Sequence, residues 1–359
     1  MQSPLPPFSS TYSPNVPELL SVLNITLALS TYQAGKLIFL SAVNSDSLIQ
    51  LPRTFDNVMG VTVKDKKLAV ACKKEVVELA NTPGLAASYP LKPNTYDALY
   101  VPRVTYYTGQ LALHDIAYTT NGLLAVNTLF SCLAFLDTEY SFKPVWKPPF
   151  VSNLTPDDNC HLNGMAVKDD EPIYVSALGN TDTRQGWREN KMNGGVVIHV
   201  PSNEIILENL PMPHSPRLYD NKLYLLLSAS GELVEVDVEK KKYKTIINLG
   251  CYARGMDRYG DYLFIGVSKL RHKSSVFGDL PIAKSSFAGI LILYLPYGNI
   301  VGHIRYETSV EEIYDVKVLP GLKRPGIIGH EQETRGLAIT SPDADFWAVP
   351  EKIDNQQKG

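Results

Sequence analysis

The sequence predicts an all-β protein, a six-bladed β-propeller of four-stranded blades, on three observations. A unit of two short apolar strands split by a tight turn recurs six times, the copies fall at blade-like intervals, and long helical periodicity is nearly absent. The copies read NVMGVTVKDKKLAVACKKEVVELA from Asn57, HDIAYTTNGLLAVNTLFSCLAFLD from His114 and LNGMAVKDDEPIYVSALG from Leu162. They continue with HSPRLYDNKLYLLLSASGELVEVD from His214, ARGMDRYGDYLFIGVSKL from Ala253 and IYDVKVLPGLKRPGIIG from Ile313.

With Gly60, Asp115, Gly164, Pro216, Gly255 and Asp315 as markers, the spacing is roughly 40 to 60 residues, the length of one blade with variable loops. Between the first two strands stand Lys-Asp-Lys-Lys, Thr-Asn-Gly, Lys-Asp-Asp-Glu-Pro, Asp-Asn-Lys and Tyr-Gly-Asp, the residues that tight hairpin turns favour. The sixth copy supplies only two strands, PGIIG being read as the second. GKLIFLSAVNSDSLIQLP near the N-terminus is a hairpin without a blade. N-terminal strands are therefore expected to complete the last blade, which removes exposed sheet edges. The whole chain, 1–359, reads as one propeller domain with loose tails at 1–15 and 350–359.

Composition narrows the function classes. A 44% hydrophobic, 20% charged chain is ordinary globular material, and its formal net charge of −3 offers no basic field for a string of phosphates. Nucleic acid is not expected as a partner. The start, MQSPLPPFSS, lacks the basic and apolar regions of a secretory signal, and no apolar run is long enough to span a bilayer. The expectation is a cytoplasmic protein with no membrane partner. Cys72, Cys132, Cys160 and Cys251 form no CxxC pair and read as reduced thiols, so the sequons at Asn24 and Asn153 carry no weight.

In a propeller the loops entering the innermost strands share a face with the loops joining second and third strands. Residues entering the innermost strands here are polar: Asn57, His114, Asp115, Cys160, His161, Asn163, His214, Arg217, Arg254, Tyr314 and Asp315. Three of the seven histidines occupy this class of position. The long loops at 179–195 and 269–289 should cover the same mouth with Arg184, Trp187, Arg188, Lys191, Arg271, His272, Lys273 and Phe277, a cation-rich rim suited to an anionic ligand.

Several roles stay open for these side chains. His114, His161 and His214 could converge on a divalent transition metal (zinc, iron or copper), could act as metal-free acid–base groups, or could simply hydrogen-bond one another and backbone. No short motif such as HExxH decides among these. Arg254 reads either as a clamp on a ligand carboxylate or as an ion-pair partner of Asp115 or Asp315. Cys160 reads as a small buried thiol sooner than a nucleophile.

The strand starts resemble the six-bladed superfamily of gluconolactonase, regucalcin and strictosidine synthase. His114-Asp115-Ile-Ala is similar to that family's Asn-Asp segment, Asn163-Gly164-Met165 to its metal-binding Asn-Gly step, and Arg254-Gly255-Met256 to its Asp-Gly-Met step. The resemblance implies a tunnel calcium held by oxygen ligands, with Asn163 as a ligand or substrate contact. Arg254 puts a cation, and His114 a nitrogen, where the family has oxygen donors, so calcium is disfavoured. Over nearly the whole chain, STYQAGKL, HLNGMAV, PHSPR and ARGMDRYGDYLFIGVSKLR resemble an uncharacterised bacterial family of propellers sometimes associated with tetratricopeptide-repeat proteins.

The expectation for function is an enzyme acting on a small anionic metabolite or modified peptide at the tunnel mouth, with hydrolase or lactonase-like chemistry first and lyase or cyclase-like chemistry next. His114, His161, His214 and Arg254 would carry it, with Asn163, Arg217, Arg184, Trp187, Arg188, Arg271 and Tyr314 contacting substrate. The alternative is a non-catalytic propeller that binds a protein partner through its long rim loops.

Overall fold

The structure is a computed structural model that describes residues 5–270, 277–278 and 280–348. Six antiparallel sheets of four consecutive positions are arranged as a propeller. The innermost strands are Val61–Lys64, Leu113–Thr119, Leu162–Lys168, Pro213–Tyr219, Tyr252–Tyr259 and Asp315–Pro320, and each contacts the innermost strand on either side, so the ring is closed.

Period-two alternation explains why the blades stack. In the second strand of the second blade, Gly122–Asn127, Leu123 and Ala125 pack toward the first blade while Leu124 and Val126 pack toward the third. Every blade is thus apolar on both faces. Apolar clusters fill each interface around the ring, from Phe39 and Val70 between the last and first blades to Ile292 and Val316 between the fifth and last. The turns expected between first and second strands are two-residue hairpins at Lys64–Lys67, Thr119–Gly122, Lys168–Glu171, Tyr219–Lys222 and Tyr259–Tyr262. Asp169 and Asp170, like Asp220 and Asn221, take positive φ at both central positions, the backbone that matches strand twist.

The N-terminus completes the last blade, as the unowned hairpin suggested. Asp315–Pro320 pairs with Ile25–Thr31, followed by Lys36–Ala42 and Leu48–Thr54, so three strands come from the start of the chain and one from its end. Two expectations are corrected. PGIIG is not the second strand of that blade, because Ile25–Thr31 fills the position; Pro325–Ile327 instead pairs in parallel with Ala98–Tyr107 as a fifth strand of the first blade. The segment expected to be a loose tail at 1–15 is tethered from Ser10 on, since Ser10–Tyr12 pairs with Asn299–Tyr306 at the edge of the fifth blade. The expected tail at 350–359 lies outside the described residues. No described helix is long and apolar enough to cross a membrane.

Candidate functional site

On one face of the ring, the loops entering the innermost strands and those joining second to third strands enclose a cavity of about 840 Å³. His114, His161, Arg254 and Tyr314 stand on its wall with Lys73, Lys269 and Glu312, and Tyr252 and Phe277 give it an aromatic side. A narrow passage of about 10 Å³, bordered by His214, Asn163, Arg217, Asp115 and Asp315, shares His114, Arg254 and Tyr314 with the cavity.

His114 and His214 are held by the same device in two blades. Ala112 and Met212, two residues earlier, take left-handed φ of 52° and 54° and accept a hydrogen bond from the imidazole Nδ1 at 2.9 and 3.0 Å. A hydroxyl from the end of the neighbouring strand also meets each Nδ1, Thr128 at 2.8 Å and Ser228 at 2.9 Å. These hydroxyls donate to carbonyls of the next blade, Leu162 and Ala253, so each accepts from the ring. A carbonyl can only accept, which puts the proton on Nδ1 and leaves Nε2 with its lone pair.

His161 is fixed differently. Its Nδ1 donates to the Asp158 carboxylate at 3.0 Å, and the second oxygen of Asp158 accepts the Trp187 indole N–H at 3.0 Å. Trp187 packs its ring against His161 with centroids 4.4 Å apart. Both Asp158 and His161 sit at φ 51°, backbone that non-glycine residues adopt rarely and that concentrates at functional sites. The His114 and His161 rings meet edge to face at 4.7 Å.

Electrostatics separate the imidazoles from the cations. Burial, and next the neighbouring His161, hold His114 well below the usual imidazole range. Burial and then the Arg254 charge bring His214 down to about 3. Burial alone would also lower Arg254, yet Glu312, Tyr314 and Tyr252 raise it, so the guanidinium stays charged. It pairs with Glu312 and lies over the Tyr314 ring at 3.7 Å.

The expected site residues divide into groups. His114, His161, Arg254 and Tyr314 come together on the cavity wall. His214 borders only the passage, as does Asn163, whose amide donates to the Pro213 carbonyl and whose oxygen accepts the Ser176 hydroxyl. Arg217 spans Asp115 at 2.8 Å and Asp315 at 3.8 Å, the ion-pair role that had been offered to Arg254. Trp187 is buried beneath His161, whereas Arg184 and Arg188 are exposed and are not among the described lining residues. Arg271, with His272 and Lys273, lies outside the described residues. Among the described residues no group of three or more His, Cys, Asp or Glu side chains is placed to hold a metal ion. Burial pushes the Cys160 thiol up to about 12, which leaves it an inert packing group.

Sequence reasoning missed Asp158 and Glu312, which orient His161 and hold Arg254. Each was signalled only by an acidic residue two or three places before an already chosen position, Asp158 before His161 and Glu312 before Tyr314.

Among curated proteins no match was found. Among solved structures the chain is similar to one in a nidogen/laminin complex, with TM-score 0.52, 10% identity, and 83% of this chain and 99% of that one covered. It is also similar to a protein of unknown function from Bacteroides caccae, with TM-score 0.48, 8% identity, and 82% and 98% covered. The first likeness is one of fold. Residues 14–328 match the family described as Domain of unknown function (DUF4915), and the chain belongs to that family.

Proposed function

We propose that the protein performs metal-free acid–base chemistry, hydrolytic in type, on a small anionic molecule bound in the 840 Å³ cavity. The observation that carries this reading is the Asp158–His161 hydrogen bond of 3.0 Å beside a wall holding Lys73, Lys269 and Arg254. A carboxylate on Nδ1 fixes the tautomer, keeps Nε2 as the basic nitrogen and stabilises the imidazolium that forms when it takes a proton. The lysines and Arg254 attract and hold the anionic end of the substrate.

In the step proposed, a water donates one proton to His161 Nε2 while its oxygen attacks an acyl or lactone carbon. The imidazolium then returns that proton to the departing oxygen. His114, kept neutral by burial, offers a second Nε2 lone pair to the same water. The resemblance to lactonase propellers supports the reaction class, and Arg254 and His114 in place of oxygen donors disfavour calcium at this site.

The test is untargeted metabolite profiling. Wild-type protein incubated with a cell extract should deplete at least one anion, and His161→Ala should leave it intact. Equal depletion by both proteins removes the reading. Elemental analysis accompanies it: stoichiometric zinc, iron or copper, lost in His161→Ala, would replace it with a metal-assisted mechanism. With neither turnover nor metal, the rim as a protein-binding surface takes its place.

A further inference from the structure

We infer that Glu312 is a resident stand-in for a ligand carboxylate, and that the site takes carboxylate-headed ligands with a flat apolar body by exchange at Arg254. The inference deepens the proposed function, resting on its cavity but not on its chemistry.

Three observations lead there. Arg254 Nε and Tyr314 Oη are buried with no hydrogen-bond partner among the described residues, in residues only 9% and 5% exposed. Buried donors left unmade are costly. Secondly, Glu312 is the one acidic side chain among the described lining residues, against Lys73, Lys269 and Arg254. It takes Arg254 Nη2 and leaves Nε and the Tyr314 hydroxyl unfilled. Thirdly, Tyr252 and Phe277 meet at 5.9 Å with their rings tilted by 40° on the same wall, an apolar face for a planar body.

A carboxylate arriving from solution can take the place of Glu312 and fill both idle donors, while Glu312, 21% exposed, turns toward water. The exchange conserves charge at Arg254 and adds hydrogen bonds, which gives it a direction. A primary amide of the same shape lacks the charge needed to displace Glu312.

Isothermal titration with indole-3-acetate and 3-phenylpropionate, each beside its primary amide, tests this. The acids should bind and the amides should not. Glu312→Gln should tighten the acids about ten-fold, because the free protein then holds an unpaired buried guanidinium that the ligand relieves. Tyr314→Phe, which deletes a hydroxyl with no partner among the described residues, should keep or raise thermal stability and weaken the acids about ten-fold. If Glu312→Gln does not fold, Tyr314→Phe decides alone. Amides binding as well as acids, no acid binding, or unchanged affinity in Tyr314→Phe overturns the inference. His161→Ala should bind the acids normally, so a lost turnover and a lost binding site are read apart.

Discussion

Arg217 and Asp115, 102 positions apart in the chain, meet at 2.8 Å between the fourth and second blades, past the intervening third. The same guanidinium donates to the Met165 carbonyl and approaches Asp315 at 3.8 Å, while backbone N–H groups of Met165 and Val61 cap the two carboxylates. Arg217 is thus an internal counter-ion at the axis, and Lys317 at 3.3 Å from Asp315 is its second half.

Replacing Arg217 by Met should therefore cost about 3–5 kcal/mol, since it strands the buried Asp115 carboxylate and leaves Asp315 to Lys317 alone. Urea unfolding measures this. Wild-type stability with reduced ligand affinity would instead make Arg217 the substrate contact its sequence position suggested.

Asp158→Asn should leave the fold and the affinity for carboxylate probes intact while lowering turnover of the identified substrate about 100-fold or more, the usual worth of an oriented general base. Trp187→Phe removes the second donor to Asp158 and should cost less. If both variants turn over as wild type, the dyad only holds a loop in place.

The fold was legible because its signals are periodic and local. Turn residues such as Asp169-Asp170 and Asp220-Asn221 declare a hairpin in two letters, and alternation in Gly122–Asn127 declares two buried faces. Pro325–Ile327 was misplaced because a three-residue parallel edge has no pattern of its own. At the site, residue class was legible and partnership was not. His114, His161, Arg254 and Tyr314 meet on one wall, but whether Arg254 pairs with Asp315 or Glu312 depends on angles between blades, and left-handed Ala112 and Met212 leave no mark in composition.

The buried imidazole of His214 makes stability depend on acid. Its folded pKa, about 3, lies below the unfolded value of 6.5, so between these limits the unfolded chain binds the extra proton. Stability is then full above about pH 6.5 and falls as pH drops toward 3, with a slope of about 1.4 kcal/mol per pH unit from this group. His214→Gln should flatten the wild-type profile by that slope in urea unfolding between pH 6 and about 4. Parallel profiles would mean that His214 is protonated in the folded protein.

The repeat markers themselves have a packing reason that can be broken. A Cβ built on Gly60 would lie 2.9 Å from Asp115 Cα, one on Gly164 2.7 Å from Pro216 Cδ, and one on Gly255 2.6 Å from Asp315 Cα. The glycine of one blade is where the next blade's marker residue fits, by its backbone at Asp115 and Asp315 and by its ring at Pro216, so the recurrence visible in the sequence is the seam between innermost strands. Gly255 also has φ 77°, whereas Gly260 has φ 57° with nothing within 4 Å of its Cβ position. Gly260→Ala should cost about 1 kcal/mol, the strain of a left-handed alanine alone. Gly255→Ala adds a backbone collision that no rotamer relieves and should cost about 2–4 kcal/mol. Equal losses for the two variants would show that the blades part easily at this seam and that the ring is not held by close strand contact.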